Sequence, residues 1–394
     1  MTPGSVTVGG ASRTRTLAAI YASTLGVGLI FGFQPPLLAL ILERNGATGT
    51  AIGLINGISA VAVIVLGPVY PYVLARIGLR RAILVGILLA MLVQELMPLF
   101  PGVSAWLALR FVTGCALGLS WIASEVWMNQ IGDDRSRGSI MAMYGTVFAA
   151  GVVAGPLVLQ LTGTSGWLPF HAGVGCLAFA LLPVLLLNNP ETAVAAASPP
   201  RELLRLLRAA PVVMLAAMVA GLVESADISL LPIFGLESGL NERAALMLVT
   251  AFLAGNVVLQ LPVGRLADRS GRRLVLAACA IAGVAGPLLL PPALATPALL
   301  WPLLFVWGGT MYSFYTQGIA LLGEVYPPRD LVGANTVFVM VYCVGGTIGP
   351  ALGGLAMDLW RPLGLVVFVS AAALLLLLGL LWEVPRLAAA RARN

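Results

Sequence analysis

The sequence predicts an all-α integral membrane protein of twelve helices, and three observations lead to this prediction. Only 10% of the 394 residues are charged and 59% are apolar, whereas about 25% of residues are charged in an ordinary soluble domain. The mean hydropathy is +0.99, so most of the outer surface must face hydrocarbon. Because one span takes about 20 residues, the length gives room for about twelve spans and their loops. A soluble globular protein is excluded.

The spans are apolar runs separated by charge clusters or by turns rich in Pro, Gly and Asn. In chain order they cover residues 16–42, 49–75, 80–100, 104–129, 138–162, 167–187, 211–236, 243–267, 273–294, 298–323, 332–357 and 361–383. The longest polar interruption follows the sixth span. We therefore predict an N-terminal six-helix bundle over residues 1–187, a cytoplasmic linker with an amphipathic helix over 188–210, and a C-terminal six-helix bundle over 211–394.

The arginines predict the orientation, since short cytoplasmic loops carry an excess of basic residues. All 22 basic residues are arginine. With the N-terminus inside, eighteen of them fall in cytoplasmic segments and only Arg44, Arg243 and Arg361 fall outside. We therefore predict a multi-pass plasma membrane protein with both termini cytoplasmic. The net charge of +6 then reflects topology, and nucleic acid is not an expected partner.

The two halves of the chain repeat one another weakly. A shift of 193 residues aligns residues 75–80 with 268–273 and Gly46 with Gly239, and a shift one residue larger brings Gly155 onto Gly349. Internal repeats of this kind are typical of transporters, whose substrate site lies between the repeats.

Three motifs add to the repeat. Residues 264–273 read GRLADRSGRR, residues 110–118 read RFVTGCALG, and residues 345–354 read GGTIGPALGG. On these motifs the chain resembles the major facilitator superfamily over essentially its full length. The resemblance implies two pseudo-symmetric six-helix bundles around a central cavity that opens to each side of the membrane in turn. The first-half copy of the loop departs from the pattern, with Pro71 and Ala75 in place of Gly and Asp.

The loop between the eighth and ninth spans is the predicted gate. An acid at the cytoplasmic end of a span can pair with neighbouring arginines and accept hydrogen bonds from a helix N-terminus. By resemblance, Asp268 would meet the start of the fifth span when the cytoplasmic side closes; the alternative is that it only balances arginine charge during insertion. The gating set is Gly264, Asp268, Arg269, Gly271, Arg272, Arg273 and, just before the fifth span, Arg135.

Charged residues inside spans are the strongest functional candidates, since a charge at the bilayer centre costs about 2.5–3.5 kcal/mol. Glu224 and Asp227 lie near the middle of the seventh span and three residues apart, on one face of the helix. Such a pair can hold a proton and release it when solvent access changes, which suits proton coupling or cation binding. The alternative is a pair that is hydrogen-bonded for packing alone.

Arg110 lies about two turns inside the fourth span and needs a cavity or a partner. Its candidate partners are Gln34, Glu95 on the third span, or the two acids of the seventh span. Glu125, in the same span as Arg110, is a candidate for proton coupling, although it also lies close enough to the cytoplasmic end to reach the interface.

Polar and aromatic residues on the spans that line the cavity in the resembled fold describe a mostly apolar site. They are Gln34, Asn56, Trp121, Tyr144, Asn256, Gln260, Tyr312, Tyr315, Gln317, Asn335 and Tyr342. His171 is expected to be an interfacial residue, and the four cysteines have neither disulfide nor metal-ligand spacing. Arg201, Arg205 and Arg208 of the linker are expected to lie against anionic lipid.

These observations predict a secondary transporter and not an enzyme, because no nucleophile and base pair, metal cluster or phosphate-binding loop is visible. The leading hypothesis is proton-coupled export of a small, partly apolar organic molecule by antiport. The alternatives are proton-coupled uptake by symport and, in a different class, a membrane receptor or scaffold with the shape of a transporter. We expect a monomer that binds a small substrate and membrane lipid, uses no cofactor and draws energy from the proton gradient.

Overall fold

The computed structural model describes residues 10–67, 69–131, 137–187 and 200–391, and that part of the chain consists of helices joined by short turns, without strands. The helices of the first half are α1 (Gly10–Arg44), α2 (Gly49–Leu66), α3 (Tyr70–Ile77), α4 (Leu79–Leu96), α5 (Val103–Ile131), α6 (Arg137–Thr162) and α7 (Leu168–Leu185). The second half contains α8 (Pro200–Ala209), α9 (Pro211–Glu237), α10 (Glu242–Ser270), α11 (Arg272–Ala293), α12 (Pro297–Met311), α13 (Ser313–Val325), α14 (Pro328–Leu359) and α15 (Gly364–Arg391).

Eleven helices in the described residues are long and apolar enough to cross a membrane. The predicted tenth span, residues 298–323, is divided into α12 and α13, which meet at Tyr312. Each half is shorter than a span, but together they cover the predicted segment. The predicted second span is divided in the same way into α2 and α3. The twelve-span architecture is therefore confirmed, with two of its spans interrupted.

The sequence repeat has a structural counterpart at the ends of helices. Thr48 caps the N-terminus of α2 and Asn241 caps that of α10, each accepting a hydrogen bond from the backbone N–H three residues later. These two caps are separated by the same 193 residues as the aligned sequence motifs. Gly78 and Gly271, with φ of 80° and 94°, form the corresponding tight turns before α4 and α11.

Glycines bring helices into close contact within each bundle. In the first bundle, a Cβ atom at Gly32 of α1 would collide with the carbonyl oxygen of Val152 on α6. In the second, a Cβ atom at Gly345 of α14 would collide with the carbonyl oxygen of Met218 on α9. Small residues of this kind let membrane helices pack backbone to backbone. The glycine motif of residues 345–354 therefore has a packing role in this structure.

The two bundles meet at one face of the molecule, which we call the distal face. It carries the end of α1, the starts of α2 and α10, and the ends of α9 and α14. Here α2 packs directly on α14, and a Cβ atom at Gly53 would collide with the carbonyl oxygen of Pro350. Four polar contacts join the bundles at this face: Arg44 to Glu242 at 2.8 Å, Thr164 to Glu242, Arg361 to Glu43 at 3.2 Å, and Asp358 to Gly49 and Thr50. The distal face is closed.

The opposite face, which we call the terminal face because α1 begins and α15 ends there, has open space beside two glycines. A Cβ atom at Gly145 of α6 or Gly264 of α10 would meet nothing within 4 Å. Met143 and Leu261, on the same two helices, are exposed. Both of the ion pairs described between the bundles, Arg44 with Glu242 and Arg361 with Glu43, lie at the distal face.

The linker helix α8 packs on the second bundle. The hydroxyl of Tyr326 donates a hydrogen bond of 2.6 Å to the carbonyl oxygen of Leu206, whose side chain is buried. Arg205 forms an ion pair of 3.1 Å with Asp330 at the start of α14. A lipid-facing role for the linker stays a prediction, as do the predicted domain boundaries, because residues 188–199 lie outside the described part.

Candidate functional site

A cavity of about 220 Å³ lies between the two bundles. Its wall is mostly apolar and comes from α1, α2, α5 and α6 on one side and from α9 and α14 on the other. The polar and charged side chains in this wall are Gln34, Asn56, Ser59, Arg110, Thr113, Glu224, Ser225, Ser229 and Tyr342. An apolar cavity with a few convergent polar groups is the usual form of a small-molecule site.

Arg110 is the cation of the cavity wall and is only 6% exposed. Its guanidinium donates a short hydrogen bond to the side-chain oxygen of Gln34, one of the three partners that the sequence suggested. Two further contacts, at 3.4 Å, reach the carbonyl oxygens of Ile55 and Asn56 on α2. Gln34 is held in turn, because its side-chain nitrogen donates to Gln94 on α4 at 2.7 Å.

Three aromatic rings form part of the cavity wall on the side of the first bundle. Phe31 lies 5.7 Å from Trp121 and 5.4 Å from Phe148 between ring centroids, edge to face in both pairs. Trp121 and Phe148 are stacked at 5.5 Å. The indole nitrogen of Trp121 donates to Glu125, one turn further along α5, at 2.6 Å. Glu125 is therefore tied to the cavity wall without lining the cavity itself.

Glu224 is the acid of the cavity wall, and it comes from the second bundle. The hydroxyl of Tyr342 on α14 donates a hydrogen bond of 2.8 Å to its carboxylate. Tyr342 also contacts the ring of Tyr315, with 4.8 Å between centroids. Glu224 and Arg110 thus belong to different bundles and face the same cavity.

Asp227 takes a different position from Glu224. Its side chain is 0% exposed and does not line the cavity. Neither of its carboxyl oxygens has a hydrogen-bond partner among the described residues. A buried acid without a partner is costly unless it is neutral. The structure therefore separates the two acids that the sequence analysis grouped, although they are only one turn apart.

Four of the eleven predicted lining residues lie in the wall of this cavity: Gln34, Asn56, Trp121 and Tyr342. The other seven lie elsewhere. Tyr312 and Tyr315 stack on each other at 6.0 Å, Tyr144, Asn256 and Gln317 are buried, and Gln260 and Asn335 are exposed. Sequence reasoning missed Gln94, which supports Gln34. The sequence signal for Gln94 was a side-chain amide within the otherwise apolar third span.

The predicted gating loop forms contacts within the second bundle. Arg272 pairs with Asp268 at 3.1 Å and with Glu324 on α13 at 3.4 Å, and Arg273 pairs with Glu383 on α15 at 3.2 Å. The Asp268 side chain is 64% exposed. Arg135, its predicted neighbour across the interface, lies outside the described residues. A gating contact between the bundles stays a prediction that belongs to a closed terminal face.

Glu95 is not the partner of Arg110. Its carboxylate lies 2.9 Å from the imidazole of His171 on α7, at the distal end of the first bundle. Among the described residues, no group of three or more His, Cys, Asp or Glu side chains is placed to hold a metal ion. The four cysteines, all in the described part, are free thiols.

Comparisons with known sequences agree with the architecture. The sequence profile of the Major Facilitator Superfamily matches residues 20–249 and 213–393. An uncharacterized MFS-type transporter of Bacillus subtilis, YfkF, is 27% identical over 357 residues, which cover 87% of this chain and 89% of the relative. An uncharacterized MFS-type transporter of Escherichia coli, YcaD, is 24% identical over 370 residues, covering 93% and 96%.

Solved structures share the fold at low sequence identity. A bacterial homolog of the human lysosomal transporter Spinster, in an inward-facing and unoccupied conformation, superposes with a TM-score of 0.76 at 13% identity, covering 96% of both chains. The nucleoside transporter NupG superposes with a TM-score of 0.71 at 15% identity, covering 94% of this chain and 96% of its own. These similarities concern the fold alone.

Proposed function

The chain belongs to the Major Facilitator Superfamily, and on that premise we propose that it moves a small organic molecule through the central cavity by alternating access. The proton gradient supplies the energy, without a cofactor. The protein is a carrier and not an enzyme. It works as a monomer in the plasma membrane, the inner membrane in a cell that has two, with both termini cytoplasmic, so the terminal face is the cytoplasmic one.

The position of Glu224 is the observation that supports proton coupling. It is an acid in the middle of a membrane helix, it faces the cavity, and Tyr342 donates a hydrogen bond to it. Intramembrane acids are expensive and commonly belong to proton relays. When the opening of the cavity changes from one side of the membrane to the other, such an acid exchanges its proton with the solution on the new side. Asp227, one turn further on, is a second site for the proton.

The direction of transport has two candidates. Export by proton antiport is the first, because the motif of residues 345–354 resembles the glycine-proline pattern of antiporters. Uptake by proton symport is the second. Arg110 favours it, because a cation in the cavity wall suits an anionic substrate, and an anion that binds together with a proton is carried by symport.

The gating loop completes the cycle in this proposal. In the present arrangement the bundles contact each other at the distal face, and Asp268 pairs with Arg272 of its own bundle. Closing the terminal face would bring Asp268 toward the start of α6, where the free N–H groups of the helix attract an acid. Gly264, Gly271 and the arginines of residues 269–273 hold the loop for that contact.

Transport by the purified protein in lipid vesicles, under an imposed pH gradient, tests coupling, direction and substrate class together. The compound panel includes nucleosides, because NupG is a nucleoside transporter, together with aromatic acids, amines and neutral compounds. The expected result is accumulation that depends on the gradient and reverses with it. Lack of gradient-dependent transport of any compound would favour the receptor or scaffold alternative.

Two substitutions make the test specific. We expect Glu224→Gln or Asp227→Asn to flatten the pH dependence of transport, because each removes a group that takes up and releases a proton. Glu95→Gln is the matched control, since Glu95 lies at the distal end of the first bundle and pairs with His171. Retention of the full pH dependence in both the Glu224 and the Asp227 variants would exclude proton coupling through these acids.

A further inference from the structure

We propose that the cavity binds a small organic anion, with its acid group at Arg110 and its apolar body against the aromatic wall of Phe31, Trp121 and Phe148. The proposal rests on the proposed function in one respect, because it takes the transported molecule to occupy this cavity. It adds the chemical class of that molecule.

The guanidinium of Arg110 has no counterion in direct contact in the part of the chain that the structure describes. Among the described residues, no carboxylate lies within 4 Å of its guanidinium, and its three contacts are with the neutral side chain of Gln34 and two backbone carbonyls. The residue is nevertheless 94% shielded from solvent, being 6% exposed. A buried charge without a counterion is costly. A ligand that carries a negative charge removes that cost.

The guanidinium of Arg110 also has more N–H donors than its contacts in the protein use. A guanidinium carries five N–H donors in a fixed fork, and three of its contacts are accounted for, two of them at the long distance of 3.4 Å. The remaining donors belong to a side chain that lines the cavity. The planar fork matches the two oxygens of a carboxylate, and this pairing is stronger than a hydrogen bond between neutral groups.

A second polar group in the wall lacks a partner. The side-chain oxygen of Asn56 accepts no hydrogen bond among the described residues, although Asn56 is only 8% exposed. Its side-chain nitrogen is occupied, donating to the carbonyl oxygen of Pro35 at 3.3 Å. Both Asn56 and Arg110 line the cavity. A hydroxyl or N–H of the ligand, close to its acid group, would satisfy this acceptor.

The rest of the wall selects the body of the ligand. Phe31, Trp121 and Phe148 surround one side of a cavity of about 220 Å³, and aromatic pairs favour a planar apolar ring against them. The volume suits a molecule of one or two rings and excludes a long lipid chain. The expected class is therefore a small aromatic or cyclic carboxylic acid.

Glu224 links the anion to the proton. When Glu224 is ionised, its charge and that of Arg110 offset each other across the cavity, and an added anion leaves a net negative charge in a poorly solvated space. When Glu224 is protonated, the anion offsets Arg110 alone. The anion and one proton therefore bind best together, which is the arrangement required for symport.

Binding of benzoate, benzamide and benzamidine tests the proposal, because these three probes share a ring and nearly the same shape but differ in charge. Equilibrium dialysis with the full-length protein in lipid nanodiscs measures each affinity. We expect benzoate to bind at least about tenfold more tightly than benzamide, since a hydrogen bond to a charged group contributes about 1.5–3 kcal/mol. Benzamidine is expected to bind more weakly than either. Equal affinity for the three probes would overturn the proposal.

Gln34→Glu is the decisive variant, because it places a carboxylate beside the guanidinium without removing Arg110. We expect benzoate binding to weaken by about tenfold or more while benzamide binding is unchanged. Asn45→Asp, in an exposed turn after α1, introduces the same charge outside the cavity and should leave both affinities unchanged. Arg110→Gln should remove the preference for benzoate over benzamide. Unchanged benzoate affinity in Gln34→Glu would contradict the assignment.

The result separates this proposal from the proposed function. If transport depends on pH through Glu224 while benzoate has no advantage over benzamide, the anion site is wrong and proton coupling stands. If benzoate binds through Arg110 while transport is independent of pH and of Glu224, the anion site stands and proton coupling is wrong.

Discussion

Asp358, at the end of α14, binds the N-terminus of α2 through Thr50. One carboxylate oxygen of Asp358 accepts hydrogen bonds from the backbone N–H of Thr50 at 2.8 Å and from its hydroxyl at 2.6 Å. The other accepts from the backbone N–H of Gly49 at 2.7 Å. These bonds satisfy free N–H groups at the start of the helix, where negative charge is also favoured. The acid belongs to one bundle and the helix to the other, so the contact exists only while the distal face is closed.

Asp358→Asn should therefore destabilise the closed distal face. An amide keeps one acceptor and loses the charge, so we expect a cost of about 1–3 kcal/mol to the closed arrangement. Spin labels at positions 45 and 243, on the distal ends of the two bundles in a cysteine-free background, report their separation by double electron–electron resonance. The expected result is a larger population at long distance. Glu383→Gln, which changes an ion pair within the second bundle, is the control. Identical distance distributions in Asp358→Asn and the parent protein would show that Asp358 does not hold the distal face closed.

Gly53→Leu should prevent the distal face from closing. The carbonyl oxygen of Pro350 already occupies the place of a Cβ atom at Gly53, and a backbone contact cannot move aside as a flexible side chain can. We expect the protein to insert and fold, to stay open at the distal face in the same spin-label measurement, and to lose at least about 90% of its transport, a tenfold effect that corresponds to about 1.4 kcal/mol. Gly145→Ala, where a Cβ atom meets nothing within 4 Å, should behave like the parent.

Asp268→Asn should lower transport and leave stability almost unchanged. In the present arrangement Asp268 is 64% exposed and pairs with Arg272, and an exposed ion pair contributes little to stability. Its proposed contact forms when the terminal face closes. Transport in vesicles and the thermal midpoint in detergent are the two measurements, and Asp330→Asn, on the same face but outside the loop, is the control for transport. Normal transport by Asp268→Asn would leave charge balance as its only role.

Tyr326→Phe should loosen the linker helix. The substitution removes one hydrogen bond, from the tyrosine hydroxyl to the carbonyl oxygen of Leu206, and keeps the aromatic ring. A single neutral hydrogen bond contributes about 1 kcal/mol, so the effect should be local. Hydrogen exchange at the amides of α8 measures it, and we expect about fivefold faster exchange there with no change in α9. Unaltered exchange in α8 would mean that its buried apolar contacts hold it alone.

The sequence predicted the spans well because bilayer thickness imposes a length and hydrophobicity on each of them. It did not predict the break at Tyr312, since the neighbouring Gly308, Gly309 and Ser313 are small residues that also occur within closely packed membrane helices. The repeat was more informative than its weak similarity suggested. Thr48 and Asn241 occupy equivalent caps although their side chains differ, because both supply an oxygen to a helix N-terminus.

The site could be predicted only in part, for a geometrical reason. Residues three apart on a helix point in directions that differ by about 60°, and the edge of the cavity passes between Glu224 and Asp227. Sequence spacing could not locate that edge, since it depends on which neighbours pack against α9. The partner of Arg110 was narrowed to three possibilities, but choosing Gln34 required the packing of α1 against α5.

The ion pairs that close the distal face make this closed arrangement sensitive to the solution on that side of the membrane. Arg361 lies within 3.2 Å of Glu43, Glu237 and Asp358, and Arg44 pairs with Glu242, with both arginine side chains 41% exposed. The screening length of dissolved ions is about 8 Å at physiological ionic strength and falls to about 3 Å at 1 M, which is comparable to the length of these ion pairs. Concentrated salt on the distal side should therefore weaken the closed arrangement, while the same salt on the other side leaves it intact. The salt concentration of that compartment then changes the fraction of time that the cavity is open to each side of the membrane.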